Sequence, residues 1–300
     1  MMWLASWREA ASAMCVSCQH GVLKVLMASR PRKGESAQLS LHLGGSLSAL
    51  SLSSEGTRAA VAGREILRLV TISDGKLEDT QNLLTHTRKT MNLNSTDVQW
   101  RPKHASQLAT GAPTGDVLLW DAEKRGDTLL RTLKGHTRAV NRLSFNPAEP
   151  ARLLSAAQER AVRLWDVGAA SSKPQLSFHA AAEVRDVQSC PTAPHRFGVA
   201  LENGMLQVFD TRNNRTHVMQ SQAHSGPSYV VEWHPTEANT IVTGGRDRLI
   251  KAWELEPTAA GSGAAAGPAA GSAALTCHPA YQVAVTMLGP VARIRCVGWH

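Results

Sequence analysis

Apolar and polar positions alternate from Leu39 onward in short runs closed by Gly, Ser, Asp and Pro, a period of two that predicts half-buried strands. Leu47, Ala49, Leu50 and Leu52 make the first run, Ala59 to Ala62 the second, and Ile66, Leu67, Leu69 and Val70 the third, separated by Ser-Glu-Gly and Gly-Arg turns. The pattern returns through Trp100-Arg-Pro, Gln107-Leu-Ala-Thr-Gly111 and Asp116-Val-Leu-Leu-Trp120-Asp. Its fullest copy runs from Gly135-His-Thr-Arg to Arg163-Leu-Trp-Asp166.

The copies keep phase. Strand-ending aromatics fall at Trp120, Trp165, Phe209 and Trp253, in steps of 45, 44 and 44, and the loop histidines His136, His179 and His224 follow in steps of 43 and 45. An X-Pro mark recurs as Trp100-Arg-Pro, Phe145-Asn-Pro, Ser189-Cys-Pro and Trp233-His-Pro. A Gly-His pair, three short strands and a closing Trp-Asp at about 40–45 residues resemble the WD repeat.

The resemblance implies an all-β fold, a WD-repeat β-propeller, in which each repeat supplies the outer strand of one blade and the inner three of the next. About five blades and the start of another are expected over residues 39–300. Trp299-His300 repeats Trp233-His234, and the sequence stops where a Pro is due. A ring without free edges needs all its blades, so the expectation is an incomplete propeller, a fragment of a longer protein. Residues 1–38 lack the pattern and are expected to form a flexible extension. Residues 257–274 are almost wholly Ala, Gly, Ser and Pro and read as a low-complexity loop.

Counting back ten and six residues from an aromatic gives Ser155 and Glu159 for Trp165, and Thr243 and Asp247 for Trp253. With His136 and His224 these form two complete sets, expected as buried hydrogen-bond chains that stiffen a blade. The fourth unit offers Val199, Asn203 and Phe209, a broken chain, and the second offers Thr110 and Thr114 without a histidine in phase. Recurrence in separate blades argues for architecture, because catalysis needs one convergent constellation with a nucleophile. No Gly-X-Ser-X-Gly, Gly-Lys-Ser/Thr or His-Glu-X-X-His run appears. No catalytic, cofactor or metal residue is therefore expected. Function falls to loops on one rim, where Arg138, Gln158, Glu183, Glu202 and Arg246 are candidate partner contacts.

Composition narrows the picture a little. Three hundred residues at 43% hydrophobic and 19% charged suit one soluble domain. The net charge of +8 is spread through turns, with Arg30-Pro-Arg-Lys33 the densest cluster, and reads as a solvated face rather than a nucleic-acid surface. Five scattered cysteines fit a reducing compartment. Cys15-Val-Ser-Cys18 with His20 has no second ligand pair at zinc spacing. Asn94 and Asn214 match glycosylation acceptors, but no secretory signal precedes them.

A narrower resemblance rests on Arg88-Lys-Thr-Met-Asn-Leu-Asn-Ser-Thr-Asp-Val-Gln-Trp100, Glu183-Val-Arg-Asp-Val-Gln188, Glu202 to Arg212 and Ala223 to Trp253. These segments resemble the amino-terminal propeller of a WD-repeat subunit family of the GATOR/SEA complex. That implies a non-catalytic scaffold working with other protein subunits, cytosolic and held peripherally at the lysosomal or vacuolar membrane. It would relay amino-acid sufficiency to the TOR kinase, with a link to autophagy, and would neither insert into membrane nor bind nucleic acid. A helical region and a zinc-binding RING follow the propeller in that family and are not in these 300 residues. Two other readings stand beside it: a ubiquitin-ligase substrate receptor or chromatin adaptor, and a propeller enzyme.

Overall fold

A computed structural model of the chain describes residues 14–19, 22–27, 37–73, 76–85, 94–213, 216–257 and 275–284. They form strands joined by turns, with no helix among the described residues. The first sheet has three strands, β1 (Met14–Gln19), β2 (Val22–Met27) and β3 (Ala37–His42). Five four-stranded sheets follow, each made of consecutive antiparallel strands. The first blade is β4 (Leu47–Leu52), β5 (Arg58–Gly63), β6 (Ile66–Ser73) and β7 (Lys76–Asn82), and the second is β8 (Asp97–Trp100), β9 (Gln107–Gly111), β10 (Val117–Asp121) and β11 (Leu129–Leu133). The third is β12 (Val140–Phe145), β13 (Arg152–Ala157), β14 (Ala161–Asp166) and β15 (Leu176–His179). The fourth is β16 (Val184–Ser189), β17 (Arg196–Leu201), β18 (Met205–Asp210) and β19 (Met219–Gln222), and the fifth is β20 (Ser228–Trp233), β21 (Thr240–Gly245), β22 (Leu249–Pro257) and β23 (Leu275–Ala284).

The blades stack through their faces. Middle strands are buried on both sides, so β5, β13 and β17 each bury every residue but the first, as strands covered on both faces do. The core is therefore a series of layers between sheets. Leu154, Val162 and Phe178 of the third blade meet Val187, Phe197 and Phe209 of the fourth, and Leu206, Val208 and Met219 meet Val231, Ile241 and Trp253 of the fifth.

The turn between the second and third strands of every blade holds a residue in the left-handed region: Glu65, Gly115, Arg160, Gly204 and Arg248, with φ from 57° to 94°. From the second blade on these positions keep the 45, 44, 44 phase of the aromatics. Gly204 has no alternative, since a Cβ there would lie 2.2 Å from the His224 carbonyl oxygen and 2.4 Å from that of Gly226.

One expectation is corrected. Residues 1–38 were to be a flexible extension, yet β1 and β2 lie inside that stretch, and Leu23 is fully buried with Ala59, Val61 and Val70 of the first blade. The short apolar run Val22-Leu-Lys-Val-Leu-Met27 is strand-like, but without a Trp-Asp mark it carries no phase. Tyr281, past the Ala/Gly run, lies in β23, which begins at Leu275. The Ala/Gly loop beyond Pro257, the cluster at Arg30, His20, Asn214 and the restart at Trp299 lie outside the described residues.

Candidate functional site

The third blade holds a continuous polar chain. β14 presents Trp165 across from Leu153 on β13, which places the indole N–H 2.8 Å from the Ser155 hydroxyl oxygen. Ser155 Oγ lies 2.6 Å from His136 Nε2, and His136 Nδ1 lies 2.7 Å from Glu159 Oε1. One proton arrangement satisfies every member: the indole donates to Ser155, the hydroxyl to Nε2, and Nδ1–H to the carboxylate. The Thr137 amide donates to the other Glu159 oxygen at 2.8 Å. Gly135 precedes the histidine because a Cβ there would approach the Trp165 ring to 2.8 Å.

The fifth blade repeats the arrangement. Trp253 Nε1 donates to Thr243 Oγ1 at 2.9 Å, Thr243 Oγ1 is 2.9 Å from His224 Nε2, and His224 Nδ1 is 2.8 Å from Asp247 Oδ1. In the second blade only Trp120 and Thr110 join, at 2.9 Å. In the fourth, Val199 stands where the hydroxyl would be and Phe209 replaces the indole, and His179 is exposed at the end of β15.

Electrostatics hold both chains in one protonation state. Burial pushes His136 below its ordinary value, against hydrogen bonding to Glu159; burial likewise lowers His224 against Asp247. Burial alone would raise the Glu159 carboxyl, but hydrogen bonds from Thr137, His136 and Arg163 bring it to about 2. The imidazoles are thus neutral and the acids ionised at neutral pH. Ser155, His136 and Glu159 have the order of a hydrolase triad, yet Ser155 is 0% exposed and its oxygen is occupied by Trp165. No substrate carbonyl can reach it.

A second polar row, invisible to a search for identical residues, links the innermost strands. Asp97 on β8, Arg142 on β12 and Asp186 on β16 are spaced 45 and 44 residues apart, in phase with the aromatics. Arg142 Nη1 lies 3.2 Å from Asp97 Oδ1 and Nε lies 3.0 Å from Asp186 Oδ1. Burial pushes the guanidinium down, and Asp186 and then Asp97 more than reverse it. The same carboxylates accept backbone N–H groups of the following blade, Leu143 at 2.9 Å from Asp97 and Val231 at 3.1 Å from Asp186. Paired charges with their remaining lone pairs satisfied can be buried across a seam, and these tie four blades.

The five candidate contacts share the rim that carries the left-handed turns. Arg138 and Arg246 are exposed, and Gln158 is half-buried, its backbone N–H donating to the Ala139 carbonyl at 3.0 Å. Glu183 and Glu202 flank Arg185: Glu183 Oε1 is 3.5 Å from Arg185 Nη1, and Glu202 accepts from Arg185 Nε. The structure joins Glu183 with Glu202 within the fourth blade, sets Gln158 beside the Arg138 loop of the third and leaves Arg246 on the fifth. Among the described residues no cluster of three or more His, Cys, Asp or Glu side chains is placed to hold a metal. No helix there is long and apolar enough to cross a membrane.

The family described as "WD domain, G-beta repeat" matches residues 127–166, which span the outer strand of the second blade and the inner three of the third. GATOR2 complex protein WDR24 of Danio rerio is 30% identical over 215 residues, 71% of this chain and 28% of that protein. Its Dictyostelium discoideum counterpart is 33% identical over 224 residues, 73% of this chain and 22% of that protein. The chain thus spans roughly a quarter of these relatives' length. A solved chain from "Crystal Structure of Mitotic Checkpoint Complex" superposes with a TM-score of 0.58 at 23% identity, covering 69% of this chain and 62% of that one. At that identity the likeness concerns the fold.

Proposed function

Because the chain is a WD-repeat protein similar over 71% of its length to GATOR2 complex protein WDR24, we propose that it is a non-catalytic scaffold subunit of a complex of that kind. Its work is to hold other proteins in register, relaying amino-acid sufficiency to the TOR kinase and thereby bearing on autophagy. Its place is the cytosolic side of the lysosomal or vacuolar membrane, reached through its complex.

The observation that carries this reading is the 30% identity over 71% of the chain. The polar chains at His136 and His224 support it, since they are consumed within single blades and leave the rim loops to meet partners. The test is affinity purification of the tagged protein from its own cells. Recovery of the relatives of the other GATOR2 subunits is expected, together with a lysosomal or vacuolar fraction that shrinks when those subunits are depleted. Their consistent absence, or recovery of cullin adaptors or histones in their place, would overturn the reading.

A further inference from the structure

At the end of the strands opposite the left-handed turns, the second and third blades part to leave a half-open cavity of about 490 Å³. Leu108, Leu119, Trp120 and Leu130 of the second blade and Phe145 of the third line it. Leu130 is 42% exposed, one of only two large hydrophobic residues exposed among the described residues. The two charged residues lining the cavity are both cations, Arg101 and Arg131.

The opening belongs to this junction and not to the repeat. One period on, Arg101, Gln107, Leu119 and Val167 become Asn146, Arg152, Leu164 and Thr211, and the seam they line encloses only about 10 Å³. The wall is set in advance: Arg131 donates to the carbonyls of Val167 at 2.7 Å, of Ser171 at 3.3 Å and of Ala169. Arg101 keeps its charge with neutral partners, the Pro150 carbonyl at 2.9 Å and the Gln107 amide oxygen at 2.6 Å. Asp166 acts on it only from a distance, its own oxygens taken by the Gly168 and Ala169 amides and by Gln175. Burial accordingly lowers the Arg101 pKa.

We infer that this groove receives an extended segment of a partner protein that inserts a large apolar side chain flanked by carboxylates. The volume falls in the range of pockets that enclose a side chain or small ligand. An apolar lining with an exposed leucine gives the anchor its hydrophobic contact. Two arginines at the wall, with no acid lining it, select negative charge beside that anchor. The inference takes from the scaffold reading only that the occupant is a protein.

The experiment uses the full 300-residue chain and three fluorescein-labelled peptides followed by fluorescence polarisation: Asp-Asp-Leu-Phe-Asp-Asp, Lys-Lys-Leu-Phe-Lys-Lys and Asp-Asp-Ala-Ala-Asp-Asp. The first is expected to bind about tenfold or more tightly than either control, and Leu130→Asp to weaken it by about tenfold while leaving the melting temperature unchanged. Arg101→Gln should erase the preference for acidic flanks over basic ones. Equal binding of all three peptides, binding of none, or binding indifferent to Leu130→Asp would overturn the inference. So would self-association of the chain, seen by light scattering and abolished by Leu130→Asp, because a second copy would then be the occupant. None of these outcomes alters which subunits co-purify, so this inference and the scaffold reading fail separately.

Discussion

Asp97 and Arg142 lie in different blades, 45 residues apart in sequence and 3.2 Å apart in space, and the Asp97 side chain is 0% exposed. A carboxylate so placed is tolerated only with its cation. Arg142→Met should therefore cost about 3–5 kcal/mol, the range for removing one partner of a buried pair. Arg142→Lys should fall between wild type and Met, since an ammonium cannot donate in two fixed directions to Asp97 and Asp186. Urea unfolding midpoints with an unchanged slope would show it; an Arg142→Met midpoint equal to wild type would contradict it.

Acid should weaken the protein in two stages. His136 and His224 are held below their ordinary value of 6.5, so the unfolded chain takes up their protons more readily than the folded one. Their contribution is full above about 6.5 and is lost as pH falls through that value toward the lowered folded one. Glu159, lowered from 4.5 to about 2, contributes fully above 4.5 and loses that contribution between those two values. Thermal melts at stepped pH should show a plateau, then a decline, and Glu159→Gln should flatten the lower stage. A melting temperature constant between neutrality and about pH 4 would refute this.

The recurring left-handed turn separates glycines that are required from side chains that are merely accommodated. Gly204→Ala forces a Cβ against the His224 carbonyl oxygen at φ +83°, and should cost about 2 kcal/mol or more. Arg160→Gly, at φ 63°, relieves the Cβ strain at some backbone entropy and should shift stability by under about 1 kcal/mol, upward. Differential scanning fluorimetry would rank the two.

Indole and hydroxyl should behave as a matched pair. Trp165→Phe removes the donor to Ser155 and should cost about 1 kcal/mol. Phe209→Trp should also destabilise, by about 1–3 kcal/mol. It would bury an N–H where Val199 offers no acceptor, in a ring layer where Phe209 stacks on Phe197 at 5.2 Å. A gain in stability for Phe209→Trp would show that the indole needs no partner there.

Much of this architecture could be read from residue spacing because the blades keep phase: once Trp120, Trp165, Phe209 and Trp253 are aligned, Ser155, Glu159, Thr243 and Asp247 follow by counting. The Asp97–Arg142–Asp186 row obeys the same count but alternates in charge, and identity is the wrong filter for it. The sheet containing β1 and β2 escapes such counting because a short apolar run says strand without saying which neighbour covers it. The groove by Leu130 was beyond reach, since a gap between sheets depends on how side chains from two repeats fill a shared seam.

The alternation along the inner strands bears on how such a chain can grow or shrink. Deleting one whole period, wherever it begins, still leaves four-stranded sheets: without residues 127–166, β15 succeeds β10 as the outer edge. What the deletion does not preserve is polarity. It would bring Asp97 face to face with Asp186 and remove the one guanidinium both lean on. The stretch is thus closed to loss of its central period, a limit on copy number written by three side chains.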